Sequence, residues 1–362
     1  MSFQPLAGKL VVDVTSSLAG PTCTQLLASL GAEVVKVEPP GGDHARAWGP
    51  PFIGDEGAMF LAANAGKQSV VLDLSTTEGR AELLELADRA DVLVQSLRPG
   101  AAEEHCFGAE TIRARNPSIV YCSIGAFGSV GPLRDQPGYD PLLQAASGIM
   151  SVTGVDGMPP VRVGVSLIDL STGLWAAFSI VAALGRGGGA TIDVSLYETA
   201  LWLLSSQIVG YLGTGLVPGR EGSAFAQIAP YQVFETSDGG LMVVAGNDKL
   251  FRALCAVIGL EPDDRFATNP DRVLHRAELA ALIEARTRAW TSDELLEALV
   301  AAGVPASPVR NVGEAAEHAQ TVALGILQDL GTFTTVAQPF SVDGERVRHP
   351  SPPPRIGQGP AR

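Results

Sequence analysis

The chain has 362 residues, of which 46% are hydrophobic and 18% are charged, enough apolar material for one large or two ordinary domains. Its net charge of −14, with no basic run, argues against nucleic acid as a partner. The four cysteines show no CxxC spacing and the five histidines no metal-binding spacing, so we expect a cytoplasmic protein with reduced thiols and no metal.

The first third of the chain alternates short apolar runs with helical patterns. Strands are predicted at Lys9–Val14, Glu33–Glu38, Ser69–Leu74, Val92–Gln95 and Ile119–Ile124, with helices at Pro21–Leu30, Thr77–Ala90 and Glu110–Arg115. This alternation predicts an α/β fold with a Rossmann-like parallel sheet, whose ligands bind beyond the carboxyl ends of the strands. No GxGxxG follows the first strand, so NAD binding is not favoured.

The middle of the chain predicts a second, smaller α+β domain. A strand at Thr191–Leu196 runs into a long apolar helix through Leu212, and a glycine-rich linker follows. A hairpin and three helices come next, at Tyr231–Thr236 with Leu241–Ala245, and at Asp248–Ile258, Arg276–Thr287 and Ser292–Ala302. The proline-rich tail from Ala337 is predicted to be an extended surface segment.

One aspartate stands alone in the apolar run Val161–Leu184. Asp169 is the only acidic residue of that run, and a carboxylate among Val, Leu, Ile and Phe loses hydration unless it is paired, capping or used. Its position before a helical pattern is compatible with an N-cap, and its apolar surroundings are compatible with catalysis. The part from Leu174 to Leu184 is too short for a membrane span and predicts a buried core helix, so no membrane partner is expected.

Eight segments, in order, resemble the family III CoA-transferases, the group that includes formyl-CoA transferase and carnitine CoA-transferase. They lie at residues 6–46, 64–80, 90–100, 116–132, 137–154, 163–184, 192–201 and 230–248. The resemblance implies an interlocked, ring-like homodimer. It also implies a large CoA-binding domain at 1–212, a linker at 213–229, a small domain at 230–308, and a return segment at 309–362 that completes the large domain.

The resemblance assigns the nucleophile to Asp169, in the motif SLIDLSTG. It implies that CoA passes from an acyl-CoA thioester to a free carboxylic acid through an aspartyl-CoA intermediate. A partly desolvated carboxylate is a better nucleophile than a hydrated one, which is consistent with the apolar run. Acyl-CoA and the acid are then the partners, CoA is a substrate, and no tightly bound cofactor, ATP or metal is needed.

The resemblance also implies CoA-binding positions in four segments. They are the loop after the first strand, the N-x-x-K motif, the loop around the family's N-F-x-P-G motif, and the loop that leads into a Tyr-Asp dipeptide. The corresponding residues are Leu18, Ala19, Asn64, Lys67, Ser96, Leu97, Arg98, Gly138, Tyr139 and Asp140. Lys67 and Arg98, with Arg46 as a third cation, are predicted to contact the CoA phosphates. The alternative for these three residues is an ordinary solvated surface charge.

The chain departs from the family pattern in places, and two alternative functions remain. Ser96 replaces the usual asparagine, Glu104 or His105 stands where an arginine is common, and Gly222–Gln227 is less glycine-rich than the loop of formyl-CoA transferase. An α-methylacyl-CoA racemase is disfavoured because Tyr139 occupies the place of its catalytic histidine. A non-catalytic CoA-binding protein is the other alternative.

Overall fold

The computed structural model describes residues 3–359, which form two compact units. The larger unit contains the chain up to Ile149, then Arg162–Leu216, and the chain from Gln320 onward. The smaller unit contains Met150–Val161 and Val217–Ala319.

These boundaries differ from the predicted ones in three places. The predicted linker at 213–229 is not separate, since it is divided between the larger unit, up to Leu216, and the smaller unit, from Val217. The segment Met150–Val161, which the prediction gave to the large domain, joins the smaller unit because Val155 forms a β-bridge with Glu221 and Gly222 N donates to the Gly154 carbonyl. The return to the larger unit comes at Gln320 rather than at residue 309.

The strands of both units are numbered here along the chain. They are β1 Leu10–Val14, β2 Glu33–Glu38, β3 Phe52–Ile53, β4 Glu56–Gly57, β5 Gln68–Val71, β6 Val92–Gln95, β7 Val120–Gly125, β8 Ala190–Ser195, β9 Tyr231–Glu235, β10 Gly240–Val244, β11 Ala306–Pro308, β12 Leu327–Asp329, β13 Thr334–Val336, β14 Ser341–Val342 and β15 Glu345–Arg346.

The helices are numbered in the same way. They are α1 Ala19–Ser29, α2 Ala58–Ala63, α3 Thr77–Arg89, α4 Ala101–Glu104, α5 Ala109–Arg115, α6 Asp140–Ser147, α7 Ile149–Val152, α8 Leu167–Arg186, α9 Leu196–Leu203, α10 Ser205–Thr214, α11 Asp248–Ile258, α12 Asn269–Leu274, α13 Arg276–Thr287, α14 Ser292–Ala301, α15 Val312–Glu317 and α16 Ala319–Leu324.

A six-stranded parallel sheet in the order β5-β2-β1-β6-β7-β8 is the frame of the larger unit. Counted along the chain, this is the Rossmann order, third-second-first-fourth-fifth-sixth. The α/β class and the parallel sheet are therefore confirmed, and all six predicted strands are present. The order reverses between β1 and β6, and such a reversal opens a crevice beyond the carboxyl ends of the strands.

Helices cover both faces of this sheet, which is why its strands are rich in buried valine and leucine. On one face, α3 and α5 pack Leu83, Ala87 and Ile112 against the strands. On the other face, α1 packs closely against α8, because Gly173 lacks a side chain where it meets the Ala19 carbonyl oxygen. The pairing of α1 with α8 sets the position of residue 169 relative to the first strand.

Helix α8 differs from its prediction as a buried core helix. Ile168, Thr172 and Ile180 are buried on one face, whereas Leu174 and Phe178 on the opposite face are 59% and 62% exposed. Among residues 3–359 it is the one helix long and apolar enough to cross a membrane by length and composition alone. An apolar helix sequence does not distinguish a wholly buried helix from one that leaves an apolar face uncovered.

Two further elements differ from the prediction. The long helix predicted through Leu212 is divided into α9 and α10 at Leu204, whose φ of −89° and ψ of 12° leave the α-helical region. The tail from Ala337 ends on the surface as predicted, but it is not extended throughout, because β14 and β15 pair as a hairpin and residues 351–359 cross the edge of the sheet. There Gly66 N donates to the Ser351 carbonyl and Ser69 N to the Gln358 carbonyl, at 2.9 and 3.1 Å.

The smaller unit has a three-stranded antiparallel sheet, β11-β10-β9, with α11, α13 and α14 packed against it. Its hairpin is formed by β9 and β10, as the turn at Ser237–Gly240 predicts. Helices α11 and α13 have the predicted bounds. A capping box at Thr291 and Glu294 fixes the start of α14.

Candidate active site

A cavity of about 200 Å³ lies at the carboxyl ends of β1, β6 and β7 in the larger unit. It is the crevice that the reversal of strand order predicts. Seven of the residues singled out from the sequence line it: Ala19, Ser96, Leu97, Arg98, Gly138, Tyr139 and Asp169. These residues span 150 positions of the chain, so the fold, and not local sequence, brings them together.

Several cavity residues were missed by the sequence analysis. They lie at or just after the ends of β1, β7 and β8, in the first turn of α1, or before α6. They include Ser16, Ser17, Gly20, Ile124, Gly125, Ala126, Gln136 and Leu196. Only their position after predicted strands could have identified them from the sequence, because residues at the carboxyl ends of parallel strands line such crevices whatever their type.

Asp169 is the third residue of α8 and its carboxylate is largely buried. Among residues 3–359 it accepts no hydrogen bond. Burial raises its pKa from 3.8 to about 7, and the nearby charge of Asp140 acts in the same direction. A carboxylate with this pKa is half ionised near neutral pH and more basic than an ordinary aspartate, as a nucleophile requires.

Asp140, not Asp169, caps the start of α8. The Oδ2 atom of Asp140 accepts from Ile168 N at 2.8 Å and from Asp169 N at 3.3 Å, and its Oδ1 atom accepts from Gln144 Nε2 at 2.6 Å. Ser166 precedes α8 but makes no side-chain cap. Asp140 is therefore buried behind the cavity, where it satisfies the first N–H groups of α8.

The N-terminus of α1 borders the cavity through Ala19 and Gly20. Leu18 precedes the helix and provides no side-chain cap, and the N–H groups of Ala19 and Gly20 have no acceptor among residues 3–359. Free N–H groups at a helix N-terminus attract negative charge. The cavity thus offers donors for an oxyanion close to the Asp169 carboxylate.

Arg98 and Tyr139 reach the cavity from its rim. Tyr139 is 62% exposed, and the Arg98 guanidinium is well exposed while it contacts Glu104. An exposed ion pair of this kind is weak and exchanges readily for another anion. Arg98 is therefore a cation available to a ligand.

Lys67, Asn64 and Arg46 do not reach the cavity. Lys67 Nζ is fully buried and donates to Asp13, Asn64 and the Pro21 carbonyl at 3.0, 2.8 and 2.9 Å. Burial lowers its pKa to about 8, although the Asp13 charge opposes that change. Since all three donors of the ammonium are used, the geometry favours a structural role for Lys67 over phosphate binding.

Arg46 is committed to carboxylates in the same way. Its guanidinium binds Glu38 through two nitrogens, at 2.7 and 2.8 Å, and binds Glu56 at 2.7 Å. It also lies over the Phe60 ring, 3.8 Å from the centroid. Like Lys67, it is a buried cation with satisfied partners rather than a free ligand for phosphate.

A second cavity of about 300 Å³ lies beyond the ends of β1, β2 and β5. It shares Ser16 and Leu97 with the first cavity, so the two adjoin. Its walls combine apolar side chains such as Leu72 and Leu74 with His44 and His105. Together the two cavities follow the sheet edge across the point where the strand order reverses.

Comparison with known proteins gives this site its context. Residues 6–359 match the model of CoA-transferase family III. The chain belongs to CoA-transferase family III. It is 38% identical to the succinate–glutarate CoA-transferase of Agrobacterium fabrum, over 99% of this chain and 94% of that protein. It is 39% identical to the acetyl-CoA:oxalate CoA-transferase of Acetobacter aceti, over 96% and 92%.

The fold of this CoA-transferase agrees with a solved relative. A CAIB/BAIF family protein from Brucella suis matches with a TM-score of 0.88 and 38% identity, over 98% of this chain and 97% of that one. The predicted family is confirmed, as is an enzyme that transfers CoA between an acyl-CoA and a carboxylate. Membership favours the transferase over the racemase and the non-catalytic alternative, and makes CoA a substrate.

Proposed function

We propose that this CoA-transferase works through a covalent aspartyl-CoA thioester on Asp169. The observation that carries the proposal is a buried carboxylate without a hydrogen-bond donor, in a cavity bordered by the N–H groups of α1. Structural carboxylates that are buried are normally paired or hydrogen-bonded, as Asp140 is here. Leaving Asp169 unpaired is costly and keeps its oxygen free to attack.

The reaction then proceeds in balanced steps. An Asp169 oxygen attacks the thioester carbonyl carbon, the carbon–sulfur bond breaks, and CoA leaves as a thiolate. The thiolate attacks the aspartyl carbonyl of the mixed anhydride, which releases the first acid and leaves an enzyme–CoA thioester. The incoming carboxylate attacks the aspartyl carbonyl of that thioester, which releases the CoA thiolate and forms a second mixed anhydride. The thiolate then attacks the acyl carbon of the incoming acid, which gives the new acyl-CoA and frees the Asp169 carboxylate.

Each step passes through an oxyanion, and the first turn of α1 is placed to stabilise it. The N–H groups of Ala19 and Gly20 are fixed before the substrate arrives, so little reorganisation is needed as charge develops. Pro21 follows them and has no N–H, so the donors of this turn are confined to the two residues that line the cavity.

We place the thioester end of acyl-CoA in the Asp169 cavity and its nucleotide end in the adjoining second cavity. The shared residues Ser16 and Leu97 support a continuous path for the pantetheine arm. Of the three cations predicted from the sequence, Arg98 alone lines the first cavity. It is therefore the predicted cation best placed to contact an anionic group near the reacting carbon.

The acid exchanged is proposed to be a short dicarboxylate. The relatives named above act on succinate and glutarate or on oxalate, and another, from Haloarcula marismortui, is a succinyl-CoA:mesaconate CoA-transferase 39% identical to this chain. A second carboxylate on the acid would find the exposed guanidinium of Arg98 at the cavity rim. Succinyl-CoA and acetyl-CoA are the donors to test first.

The covalent intermediate is tested by intact-protein mass spectrometry. After incubation with succinyl-CoA or acetyl-CoA, the chain is expected to gain a CoA adduct that hydroxylamine removes and that added glutarate or oxalate turns over. The Asp169→Asn variant is expected to gain none. An adduct that persists in this variant, or none in the wild type with any donor, would overturn the mechanism.

Removing the charge of Asp140 is expected to shift the pH at which kcat/KM falls on the acid side of its pH profile. Because attack requires ionised Asp169, kcat/KM should rise with pH through about 7. Asp140→Asn removes the neighbouring negative charge and keeps an oxygen to cap α8, so the acid side of the profile should move to lower pH by about 0.5–1 unit. The measurement is kcat/KM against pH for both proteins.

A matched control separates this effect from a general change of charge. Asp88→Asn makes the same substitution on the outside of α3, where Asp88 pairs with Arg115. Asp88→Asn should leave the pH dependence of kcat/KM unchanged. If Asp140→Asn also leaves it unchanged, Asp140 does not set the ionisation of Asp169.

We also propose that two chains form the interlocked homodimer that the resemblance implies. An apolar face of the larger unit supports this. It consists of Leu170, Leu174, Phe178, Trp202, Val209 and Leu212 on α8, α9 and α10, each of them at least 44% exposed. An uncovered apolar face of this kind marks an interaction surface, and a second copy of the same face is its simplest partner.

Sedimentation velocity at decreasing concentration tests the assembly. The wild type should remain a dimer on dilution, and Leu174→Glu with Phe178→Glu should disrupt it. Val300→Glu, on an exposed position of α14 in the smaller unit, serves as the control and should leave the dimer intact. A folded wild-type monomer at low concentration would contradict the proposal.

A further inference from the structure

Four charged side chains are buried beneath the loop that joins β1 to α1, and no step proposed above uses them. Asp13 pairs with Lys67 at 3.0 Å and Lys36 pairs with Asp43 at 2.8 Å, and each of the four side chains is at most 1% exposed. We call these four residues the buried quartet. In the loop above it, Thr15 and Ser17 bond to the quartet, and Ser16 and Ser17 line the Asp169 cavity.

The first pair holds both ends of the loop. Asp13 Oδ1 accepts from Thr15 N at 3.0 Å, and Asp13 Oδ2 accepts from Lys67 Nζ and from the Thr24 hydroxyl at 3.0 and 2.6 Å. Lys67 Nζ also donates to the Pro21 carbonyl at 2.9 Å, inside the first turn of α1. One ion pair thus joins the end of β1 to the start of the helix.

The second pair holds the middle of the loop. Lys36 Nζ donates to the Thr15 carbonyl at 2.8 Å, and Asp43 Oδ1 accepts from Ser17 N at 3.2 Å. Ser17 has a φ of +70°, a left-handed conformation that is unfavourable for a residue other than glycine. Such strain persists only where the surroundings impose it, and it gathers at functional sites.

The packing of the loop leaves no room for adjustment. A Cβ on Gly20 would lie 2.3 Å from the Thr15 Cβ, so the loop rests directly on the helix turn whose N–H groups border the cavity. A buried ion pair adds little net stability, because desolvation consumes most of the attraction between the charges. Two such pairs under one loop therefore call for a role other than stability.

We propose that Lys67 and Lys36, with their partners Asp13 and Asp43, are positioning residues for the oxyanion donors. They fix residues 15–18 and the first turn of α1 so that the N–H groups of Ala19 and Gly20 face the carbonyl that Asp169 attacks. This inference rests on the proposed aspartyl mechanism. It assigns Lys67 to the alignment of the site and not to the binding of a CoA phosphate.

Charge-neutral double variants test the proposal without leaving an unpaired buried charge. Lys67→Met with Asp13→Asn removes the first pair, and Lys36→Met with Asp43→Asn removes the second. Lys9→Met with Asp91→Asn removes a partly exposed pair of the same larger unit and is the matched control. Urea unfolding establishes that each variant is folded before its kinetics are compared.

The variants are expected to lower kcat and to leave the affinity for CoA nearly unchanged. Either quartet variant should lower kcat about 10- to 100-fold, since small displacements of aligned groups cost this much. The Kd of free CoA, measured by calorimetry on the Lys67→Met/Asp13→Asn variant, should stay within about 2-fold of the wild type, because neither residue lines either cavity. Asp43 of the second pair lines the second cavity, so the first-pair variant gives the decisive Kd. Amide hydrogen exchange should accelerate at residues 15–20 in these variants and not in the control.

Three outcomes separate the explanations. A Kd for CoA raised about 10-fold or more with kcat retained would make Lys67 a phosphate ligand and overturn the inference. An unchanged kcat in both folded variants would also overturn it. If the wild type itself forms no CoA adduct, the proposed mechanism fails and the inference fails with it, whereas a wild-type adduct limits the failure to the inference.

Discussion

Replacing Asp169 with asparagine is expected to abolish CoA transfer and, at pH 8, to make the chain more stable. Activity should fall at least about 10³-fold, because an amide cannot form the anhydride or the thioester. Stability should rise because the wild-type carboxylate is buried, unpaired and next to Asp140, and asparagine removes that charge without changing the shape of the side chain.

The size and pH dependence of the stability gain follow from the pKa. The folded-state pKa of Asp169 is raised from 3.8 to about 7, so the folded chain holds the carboxyl proton more tightly than the unfolded chain does. The resulting contribution to the unfolding free energy is complete below pH 4 and is lost as the pH rises to 7. Asparagine does not titrate and loses nothing over this window. With partial solvent screening, the variant should gain about 1–3 kcal/mol of unfolding free energy at pH 8, and less at pH 5.

Urea unfolding of the wild type and Asp169→Asn at both pH values measures the effect. Asp88→Asn, a surface substitution of the same kind, should change stability by less than about 0.5 kcal/mol. Equal stabilities of wild type and Asp169→Asn at pH 8 would mean that the carboxylate is solvated or paired in solution. The nucleophile would then lack the environment on which the proposed mechanism depends.

Gly173→Ala is expected to destabilise the larger unit by about 1–3 kcal/mol and to lower activity. A Cβ at this position would lie 2.6 Å from the Ala19 carbonyl oxygen and 2.9 Å from the Thr22 Cβ. The first contact is with backbone, so α1 and α8 must move apart. That movement separates the N–H groups of α1 from Asp169, and kcat should fall along with stability.

The same helix provides the control. Gly185 lies near the end of α8, and a methyl group added there would meet no atom within 4 Å, so Gly185→Ala should be neutral or stabilising by about 0.5–1 kcal/mol. Thermal unfolding and kcat of both variants make the comparison. If Gly173→Ala is as stable and active as Gly185→Ala, the close approach of α1 to α8 does not exist in solution.

The parallel sheet was predictable because its strands are short, apolar and separated by helical patterns, so local signals agree with the fold. Asp169 was identifiable for a related reason, since one charge in an apolar run is conspicuous without any structure. Its neighbour Asp140 was predicted as a CoA contact. The structure shows a helix cap that acts across 28 residues of sequence, a relation that no local pattern records.

The sequence did not predict the surroundings of Lys67 and Arg46. Their positions in family-like motifs predicted cations for the CoA phosphates, but a motif does not record which carboxylate is nearby in space. Lys67 meets Asp13, 54 residues earlier in the chain, and Arg46 meets Glu38 across the turn after β2. The apolar composition of α8 was equally ambiguous, since a buried face and an assembly face are made of the same residues.

The tail protects an edge of the parallel sheet, so truncation from the C-terminal side is expected to promote aggregation. Strand β5 is the outer strand of the parallel sheet, and the tail occupies part of its free edge through the hydrogen bond from Ser69 N to the Gln358 carbonyl. An unpaired edge strand recruits other chains into intermolecular sheets. Shortening the chain before residue 351 would therefore show first as aggregation during expression, well before any defect in CoA transfer could be measured.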